Sequence, residues 1–262
     1  MNVIEKQYQK IKDEHRLGLM THVVVGYPDL RATREMVKMM AASGVDFVEL
    51  QIPFSDPIGD GPVIREASTQ ALAKGVRVND AFALARQLVQ EDHVSAPLLF
   101  MTYFNIVFAY GLEQFCADAA ATGIAGLIIP DYNLDMEAHE HFDALCRQYN
   151  LTLVRFASFD SDEKRLRMHA RDAAGFIYCF STRGVTGTRD QLDPYLVEHL
   201  ARLHGIFSQP LAVGFGVSSG EQVRALKGHA DIVVVGSALV KELNMGGMAK
   251  VMEKIHELVV AL

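Results

Sequence analysis

The sequence has few cysteines and no long run of basic or apolar residues, and each absence argues against a class of protein. Only three cysteines occur, Cys116, Cys146 and Cys179, and none belongs to a CxxC motif. This odd number argues against a disulfide framework or a zinc ribbon and favours a reducing compartment, so we expect a cytoplasmic protein. No apolar run approaches the roughly 18 residues of a membrane span. The charged N-terminal segment lacks the apolar stretch of a signal peptide.

Charge and composition narrow the possible partners. The formal net charge is −7 and no Lys/Arg run occurs, which argues against a nucleic-acid surface. An anionic substrate would therefore need a local positive field, because the overall charge does not attract it. Half of the residues are hydrophobic and 22% are charged, as in ordinary globular proteins. No linker rich in Pro, Ser or Gly divides the chain, so we predict one domain over residues 1–262.

Short apolar segments recur at intervals of roughly 25 to 30 residues, separated by stretches with helical patterning. Most of these segments are continuously apolar rather than alternating, which is typical of strands buried on both faces of a parallel sheet. We predict eight strands, at Met20–Val25, Phe47–Ile52, Leu98–Thr102, Gly126–Ile129, Leu151–Arg155, Gly175–Phe180, Leu211–Gly214 and Asp231–Val235.

A helix is predicted after each strand, together with an N-terminal helix and an extra helix, Pro62–Lys74, after the second strand. Eight β-α units in one chain predict an α/β fold, the (β/α)8 TIM barrel. The alternative is an open doubly wound sheet, but Gly26-Tyr27-Pro28 replaces the GxGxxG turn that such a sheet usually carries. The other predicted helices are Leu30–Ser43, Asp80–Glu91, Gly111–Ala121, Asp135–Tyr149, Ser161–Asp172, Asp193–His204, Ser219–Lys227 and Gly246–Leu262.

Two acidic residues lie where a barrel places its chemistry, at the C-terminal ends of the strands. Glu49 stands among apolar neighbours in the second predicted strand. A buried unpaired carboxylate is costly, so Glu49 either reaches solvent or a salt bridge, or serves in acid–base exchange. Asp56 and Asp60 lie in the long loop that follows, and either could instead be a turn or helix-capping residue.

Three glycine-bearing loops follow the later strands on the same rim. They are Ser181–Arg189, Gly214–Ser218 and the segment beginning at Gly236. Glycines let main-chain N–H groups approach an anion, and barrels often bind phosphate at the loops after strands seven and eight with a helix N-terminus. Each loop alone could be an ordinary solvent loop, but together they indicate a phosphorylated substrate.

Taken together, these motifs resemble one protein family. Val48–Pro62 (VELQIPFSDPIGDGP) is similar to the signature of the tryptophan synthase α chain, as are Ser181–Arg189 (STRGVTGTR), Gly214–Ser218 (GFGVS) and Gly236–Val240 (GSALV). The resemblance implies a lyase of tryptophan biosynthesis that cleaves indole-3-glycerol phosphate to indole and glyceraldehyde 3-phosphate. It also implies an α2β2 complex with a β subunit that carries pyridoxal phosphate, and neither a cofactor nor a metal in this chain.

The resemblance also implies roles for individual residues. Glu49 matches the acid–base group that protonates the indole carbon bearing the glycerol chain, and Asp60 matches the carboxylate that interacts with the indole N–H. Asp56 and Pro57 match the loop that faces the β subunit. The positions that match substrate binding are Ile64, Met101, Tyr178 and Phe215 around the indole, Gly187, Gly216, Gly236 and Ser237 at the phosphate, and Thr186 in a loop that closes on Asp60.

The chain departs from the family pattern at several positions. Gln51 stands where the family usually has glycine, Thr21 and His22 replace a common Pro-aromatic pair, and Pro130 stands where many members have a small residue. His22 would fall near the indole pocket, either as a hydrogen-bonded core histidine or as a polar group that changes the pocket. Three alternatives therefore stay open: a lyase or isomerase for another phosphosugar, a stand-alone lyase that releases free indole, and a regulatory subunit without turnover of its own.

Overall fold

Nine parallel strands run through the protein, seen here in a computed structural model that describes residues 1–180, 195–214 and 216–262. Most of them are buried along their whole length, which explains their continuously apolar sequences. Every neighbouring pair is parallel. The strands are β1 Gly18–Val24, β2 Phe47–Gln51, β3 Leu98–Met101, β4 Gly126–Ile128, β5 Thr152–Leu153, β6 Arg155–Ala157, β7 Ile177–Phe180, β8 Leu211–Gly214 and β9 Ile232–Val235.

The sheet closes into a barrel through one chain segment. Its strand order is β5-β4-β3-β2-β1-β9-β8-β7-β6, so the two edge strands are consecutive in the chain and separated only by Val154. Thr152 of β5 pairs with β4, whereas Arg155 of β6 pairs with β7. The predicted TIM barrel is therefore confirmed. The predicted fifth strand, Leu151–Arg155, is wrong in detail, because its two halves serve different neighbours and the second half extends to Ala157.

Helices alternate with the strands, and the predicted N-terminal helix and the predicted extra helix after the second strand are both present, as α1 and α3. In the described ranges, no helix has the length and apolar character needed to cross a membrane. The helices are α1 Val3–Asp13, α2 Leu30–Ala42, α3 Pro62–Ala73, α4 Val78–Arg86 with a π-helical turn Gln87–Glu91, α5 Phe104–Tyr110, α6 Leu112–Thr122, α7 Leu134–Glu140, α8 Phe142–Gln148, α9 Glu163–Asp172, α10 Leu196–His204, α11 Gly220–Ala225 and α12 Ser237–Ala261.

Three helices differ from their predictions. The predicted helix Asp135–Tyr149 is two helices, α7 and α8, because His141 between them has a φ of 50°, a left-handed backbone that ends α7. The seven residues of α5 were not predicted as a helix, since two turns are too few to show a helical period. The last predicted helix, from Gly246, belongs to the longer α12, which is kinked where Gly246 and Gly247 leave helical geometry.

The N-terminal end of the barrel is sealed by α1. Ile4 and Ile11 of this helix pack into the apolar cluster inside the barrel. Gly18 allows the approach, because a Cβ there would lie 2.8 Å from the Ile11 Cδ1 atom. The sealed end leaves the opposite, C-terminal end of the barrel for a site. The apolar cluster also includes Met20, Phe47, Leu99, Val154, Phe176, Ala212 and Ile232.

Candidate active site

A cavity opens at the C-terminal end of the barrel. A larger recess lies beside Arg155 and His169, but neither Glu49 nor Asp60 lines it. The smaller cavity is therefore the candidate active site, at the end of the barrel where such folds place their chemistry. It is lined by His22, Glu49, Asp60, Ile64, Met101, Ile128, Pro130, Phe156, Tyr178, Gly216, Val217, Val234, Gly236 and Ser237.

Most of the predicted site residues that the structure describes meet in this cavity. Thr186, Gly187 and Phe215 lie outside the described residues, as does the whole segment Ser181–Arg189. Of the two positions predicted to face a partner, Asp56 is exposed and Pro57 is buried, and neither lines the cavity. The eight predicted residues that line it are Glu49, Asp60, Ile64, Met101, Tyr178, Gly216, Gly236 and Ser237.

Sequence reasoning missed several apolar wall residues. A usable signal was present, because residues two apart on a strand share a face. Val234 is two residues before Gly236, and Phe156 is two residues after Val154, which faces the barrel interior. The same alternation applied to each strand names Val234 and Phe156, whereas Val217 lies in the loop after β8, beyond the reach of this rule. The wall residues that were not assigned to the site are Ile128, Pro130, Phe156, Val217 and Val234.

Glu49 points from β2 into the barrel and is only 2% exposed. Its partner in the β1–β2 register is His22, and the Glu49 Oε2 atom lies 3.4 Å from the His22 Nδ1 atom. Within the described residues, no hydrogen bond reaches Oε2. A carboxylate buried with so few partners is costly to maintain, and groups of this kind cluster at functional sites.

Asp60 reaches the same cavity from the loop after β2 and is 5% exposed. Its Oδ2 atom accepts a hydrogen bond from Gln51 Nε2 at 2.6 Å. Burial raises the pKa of the Asp60 carboxyl above its ordinary value, and the charge of His22 with the hydrogen bonds from Gln51 and Tyr103 only partly offset this rise. Two buried carboxyl groups therefore open into one space.

Both carboxylates act on His22. Burial by itself lowers the pKa of this imidazole, because it disfavours the charged form. The charges of Glu49 and Asp60, together with the nearby Gln51 amide, outweigh burial, so the pKa of His22 rises above its ordinary value. The two acids thus favour the protonated form of this imidazole.

Tyr178 forms one wall of the cavity. Its ring lies 5.3 Å from the ring of Phe156, measured between centroids. Burial and the charges of Glu49 and Asp60 raise the pKa of its hydroxyl well above the usual range, so the hydroxyl stays protonated. On its other side the ring packs on Gly214, where an added Cβ would lie 2.6 Å from the Tyr178 Cε1 atom.

The contact with Gly214 leads to a first prediction. We expect Gly214→Ala to displace the Tyr178 ring toward the cavity. The KM for the expected substrate, indole-3-glycerol phosphate, should rise about tenfold or more, in line with the penalty for one misplaced methyl group in a pocket. Steady-state kinetics and thermal unfolding of both proteins measure the effect. Gly205→Ala, on the exposed C-cap of α10 where φ is −73°, is the matched control. An unchanged KM in the Gly214 variant would show that the ring does not limit the cavity.

A glycine-bearing rim lies across β1 from Glu49. Gly236 immediately precedes α12, and the first main-chain N–H groups of a helix have no intrahelical partner. A Cβ at Gly236 would lie 3.1 Å from the His22 Cβ, so the backbone packs closely here. Gly216, after β8, has a φ of 113°, which favours glycine. This rim can present main-chain donors to an anion.

Within the described ranges, no group of three His, Cys, Asp or Glu side chains is placed to hold a metal ion. The chemical groups that the cavity offers include the carboxyls of Glu49 and Asp60, the imidazole of His22, the hydroxyls of Tyr178 and Ser237, and main-chain N–H groups. This set can exchange protons and bind an anion.

The fold and the cavity together define a (β/α)8-barrel enzyme with two buried acids and a glycine-bearing rim at one mouth. Residues 8–261 match the family described as Tryptophan synthase alpha chain. The chain belongs to this family, which makes it a lyase that partners with a β chain.

Individual relatives agree over almost the full length. A Tryptophan synthase alpha chain from Desulfotalea psychrophila is 43% identical over 244 residues, which cover 93% of this chain and 94% of the relative. Another from Syntrophotalea carbinolica is 40% identical over 240 residues, which cover 92% and 93%. A solved structure of Mycobacterium tuberculosis tryptophan synthase matches with a TM-score of 0.91 at 33% identity, over 99% of this chain and 98% of that one. These matches do not support the alternative of a lyase for another phosphosugar.

Proposed function

We propose that this chain carries out the α reaction of tryptophan synthase, the aldol-type cleavage of indole-3-glycerol phosphate to indole and glyceraldehyde 3-phosphate. The observation that carries the proposal is that Glu49 and Asp60, both almost fully buried, open into one cavity. The apolar walls suit a bicyclic aromatic ring, and the glycine-bearing rim suits a phosphate. We propose that residues 1–262 work as one domain, because the whole cavity is built from one barrel.

Glu49 and Asp60 have complementary parts in this reaction. The Glu49 carboxyl gives its proton to the indole carbon that bears the glycerol chain, while Asp60 accepts a hydrogen bond from the indole N–H. The bond between that carbon and the glycerol chain then breaks, its electrons remain with the indole, and the neighbouring hydroxyl becomes the aldehyde. Its proton returns to the Glu49 carboxylate, so the cycle has no net gain or loss of protons. Positioned acid–base groups of this kind each contribute a factor of about 10²–10⁴.

The remaining assignments follow the walls of the cavity. Ile64, Met101 and Tyr178 would contact the indole, and Gly216, Gly236 and Ser237 would hold the phosphate through main-chain N–H groups. The roles of Thr186, Gly187 and Phe215 rest on the family resemblance alone. Pyridoxal phosphate is assigned to the β partner, because every step proposed here uses side chains of this chain and the hydroxyl of the substrate.

We further propose that the loop after β2 faces the β subunit in an α2β2 complex. Asp56 in this loop is exposed, and its neighbour Ile58 is 76% exposed. Phe108 of α5, in the next β-α unit at the same end of the barrel, is 62% exposed. Exposed large apolar side chains at one end of a fold are candidates for a protein interaction site. Pro57 is buried beneath this surface, so it would shape the loop rather than touch the partner.

Three buried thiols support a reducing compartment for this reaction. Cys116, Cys146 and Cys179 are all free, although the Cys116 and Cys146 Sγ atoms are only 4.0 Å apart. Two neighbouring thiols that remain unpaired fit the cytoplasmic location expected from the sequence.

The test is an assay of the purified chain with indole-3-glycerol phosphate. We expect indole and glyceraldehyde 3-phosphate in equal amounts, slowly from the chain alone and faster when a β subunit is added. Chromatography of indole and an enzymatic assay of the triose phosphate measure both products. Turnover of another sugar phosphate without indole release would favour the phosphosugar alternative. Activation of the β subunit without any cleavage would identify a regulatory subunit.

A further inference from the structure

Buried polar atoms without partners collect at one place in the cavity. Within the described residues, no hydrogen bond reaches His22 Nε2, Glu49 Oε2 or Gln51 Oε1. His22 lies on β1 directly beside Glu49 on β2, and Gln51 is two residues further along the same face of β2. Unsatisfied buried polar atoms are uncommon in folded proteins, and each calls for an explanation. Because these three atoms lie on His22 and its neighbours Glu49 and Gln51, we infer that the His22 imidazole has a functional role.

These side chains connect the two acids. His22 Nδ1 lies 3.4 Å from Glu49 Oε2, slightly beyond ordinary hydrogen-bond length, and such catalytic contacts often shorten when substrate binds. At the other end, Gln51 Nε2 donates to Asp60 Oδ2 at 2.6 Å. The Gln51 amide lies near enough to His22 to help raise its pKa. Within the described residues neither His22 Nε2 nor Gln51 Oε1 has a hydrogen-bond partner, so these two atoms are left to pair with each other. The order of the four side chains is Glu49, His22, Gln51, Asp60, and the pairing of His22 with Gln51 is part of the proposal.

We propose that His22 is a positioning residue that shares its proton with Glu49, and that Gln51 ties this pair to Asp60. The inference rests on the proposed function. An imidazolium beside a carboxylate and a neutral imidazole beside a carboxylic acid differ only in whether the proton lies on Nδ1 or on Oε2. The pair therefore supplies the proton that Glu49 gives to the ring carbon. The substrate hydroxyl later returns one proton to Glu49, which restores the pair.

The charged surroundings of His22 favour this arrangement. Glu49 faces it from β2 and Asp60 from the following loop, and both stabilise the cationic imidazole. Tyr178 approaches the two acids from β7 as a neutral hydroxyl. Val234 and Gly236, which line the same cavity on the β9 side, are uncharged. Burial is the opposing effect, since it disfavours any charge.

The first test observes His22 directly and needs no substrate. In the full-length protein, the ¹⁵N shifts of the His22 ring are followed against pH, with assignment by comparison with His22→Phe. We expect wild type to titrate above the ordinary histidine value and Glu49→Gln to titrate at least about one pH unit lower, because burial then dominates. An unchanged titration in the Glu49 variant would overturn the proposal, whether or not the chain releases indole.

The second test uses the pH profile of kcat. His22→Phe keeps an aromatic ring and removes the titrating nitrogens. We expect its kcat at neutral pH to fall about tenfold and the alkaline limb to shift by at least about one pH unit, because the raised pKa of His22, which sets this limb in wild type, is absent from the variant. His22→Asn keeps an N–H donor beside Glu49 and cannot titrate, so its pH profile of kcat should be shifted like that of His22→Phe. A purely structural histidine would leave both profiles like that of wild type.

Thr21→Val is the matched control. Thr21 is buried next to His22 on β1, but its hydroxyl faces Met40 of α2, at 3.3 Å from the sulfur, and not the cavity. Its profile should match that of wild type. If wild type releases indole and His22→Phe keeps the wild-type profile, the proton-sharing role is wrong while the proposed function survives. If wild type releases no indole, the proposed function fails and the ring titration alone decides whether the pair exists.

Discussion

Glu49→Gln should lower kcat for indole release by a factor of about 10²–10⁴, the usual contribution of a positioned acid–base group. Glutamine has nearly the same shape as glutamate, so it fits the almost fully buried place of Glu49 on β2. It can neither donate a proton to the ring carbon nor accept one from the hydroxyl. KM should change little, because the walls and the rim of the cavity remain in place.

Rapid-quench or steady-state measurement of indole gives kcat, and circular dichroism with thermal unfolding shows whether the variant is folded. Glu66→Gln makes the same chemical change on the exposed face of α3, where Glu66 only accepts a hydrogen bond from Gln70 at 2.8 Å. This control should keep full activity. Normal turnover by a folded Glu49 variant would remove Glu49 from the mechanism and require another acid in the cavity.

Asp60→Asn should lower kcat about 10²-fold, a loss comparable to that of one preorganised polar group aimed at a developing charge. Asparagine can still accept the hydrogen bond that Gln51 Nε2 gives to residue 60, so the geometry persists while the negative charge is lost. Wild-type activity should fall as the pH falls through the raised pKa of Asp60, because the protonated carboxyl no longer attracts the indole N–H. The pH profile of kcat for Asp60→Asn should lack this decrease at low pH.

The same substitution should not destabilise the fold at neutral pH. Burial raises the pKa of Asp60, so the folded protein binds this proton more tightly than the unfolded chain does. The contribution of Asp60 to stability therefore falls as the pH rises from the unfolded to the folded pKa, and the ionised group is a cost at pH 7. We expect an equal or higher Tm for Asp60→Asn at pH 7. A lower Tm would indicate that the charge stabilises the loop after β2.

The matched control for this variant is Asp13→Asn. Asp13 is exposed on α1, at the sealed end of the barrel, and accepts a hydrogen bond from Gln9 Nε2 at 2.7 Å, the same kind of contact that Gln51 makes with Asp60. Its kcat and pH profile should match those of wild type. A similar loss of activity in both variants would point to general charge effects and not to the cavity.

The proposed pairing of His22 with Gln51 accounts for how this site holds two buried acids. Polar groups that are buried without a full set of partners cost stability, and functional sites commonly tolerate such costs. Here His22 supplies a cation beside Glu49, and Gln51 supplies a donor to Asp60. We therefore expect activity to fall when either His22 or Glu49 is replaced while the other remains.

Local patterns in the sequence were sufficient for the barrel, whereas the choice of Glu49 and Asp60 as its two acids also needed the family resemblance. Continuous apolar segments such as Phe47–Ile52 predict strands buried on both faces, because side-chain alternation and burial are properties of a few neighbouring residues. Eight such units, together with glycines at the ends of the later strands, were enough to indicate the mouth of the barrel as the site. Ile64 and Tyr178 needed the family resemblance, because their residue types alone suit ordinary packing.

Only the tertiary structure decided which side chains meet. His22 and Glu49 are 27 positions apart in the chain, and it is the β1–β2 register that places them side by side. The split of the fifth predicted strand into β5 and β6 likewise depends on two different neighbours, which no local pattern contains. Strand register and barrel closure arise from packing over the whole chain. The sequence, with the family resemblance, therefore determined the barrel, its two acids and a place for His22 near the pocket. That His22 lies beside Glu49, and that Gln51 donates to Asp60, became visible only in the closed barrel.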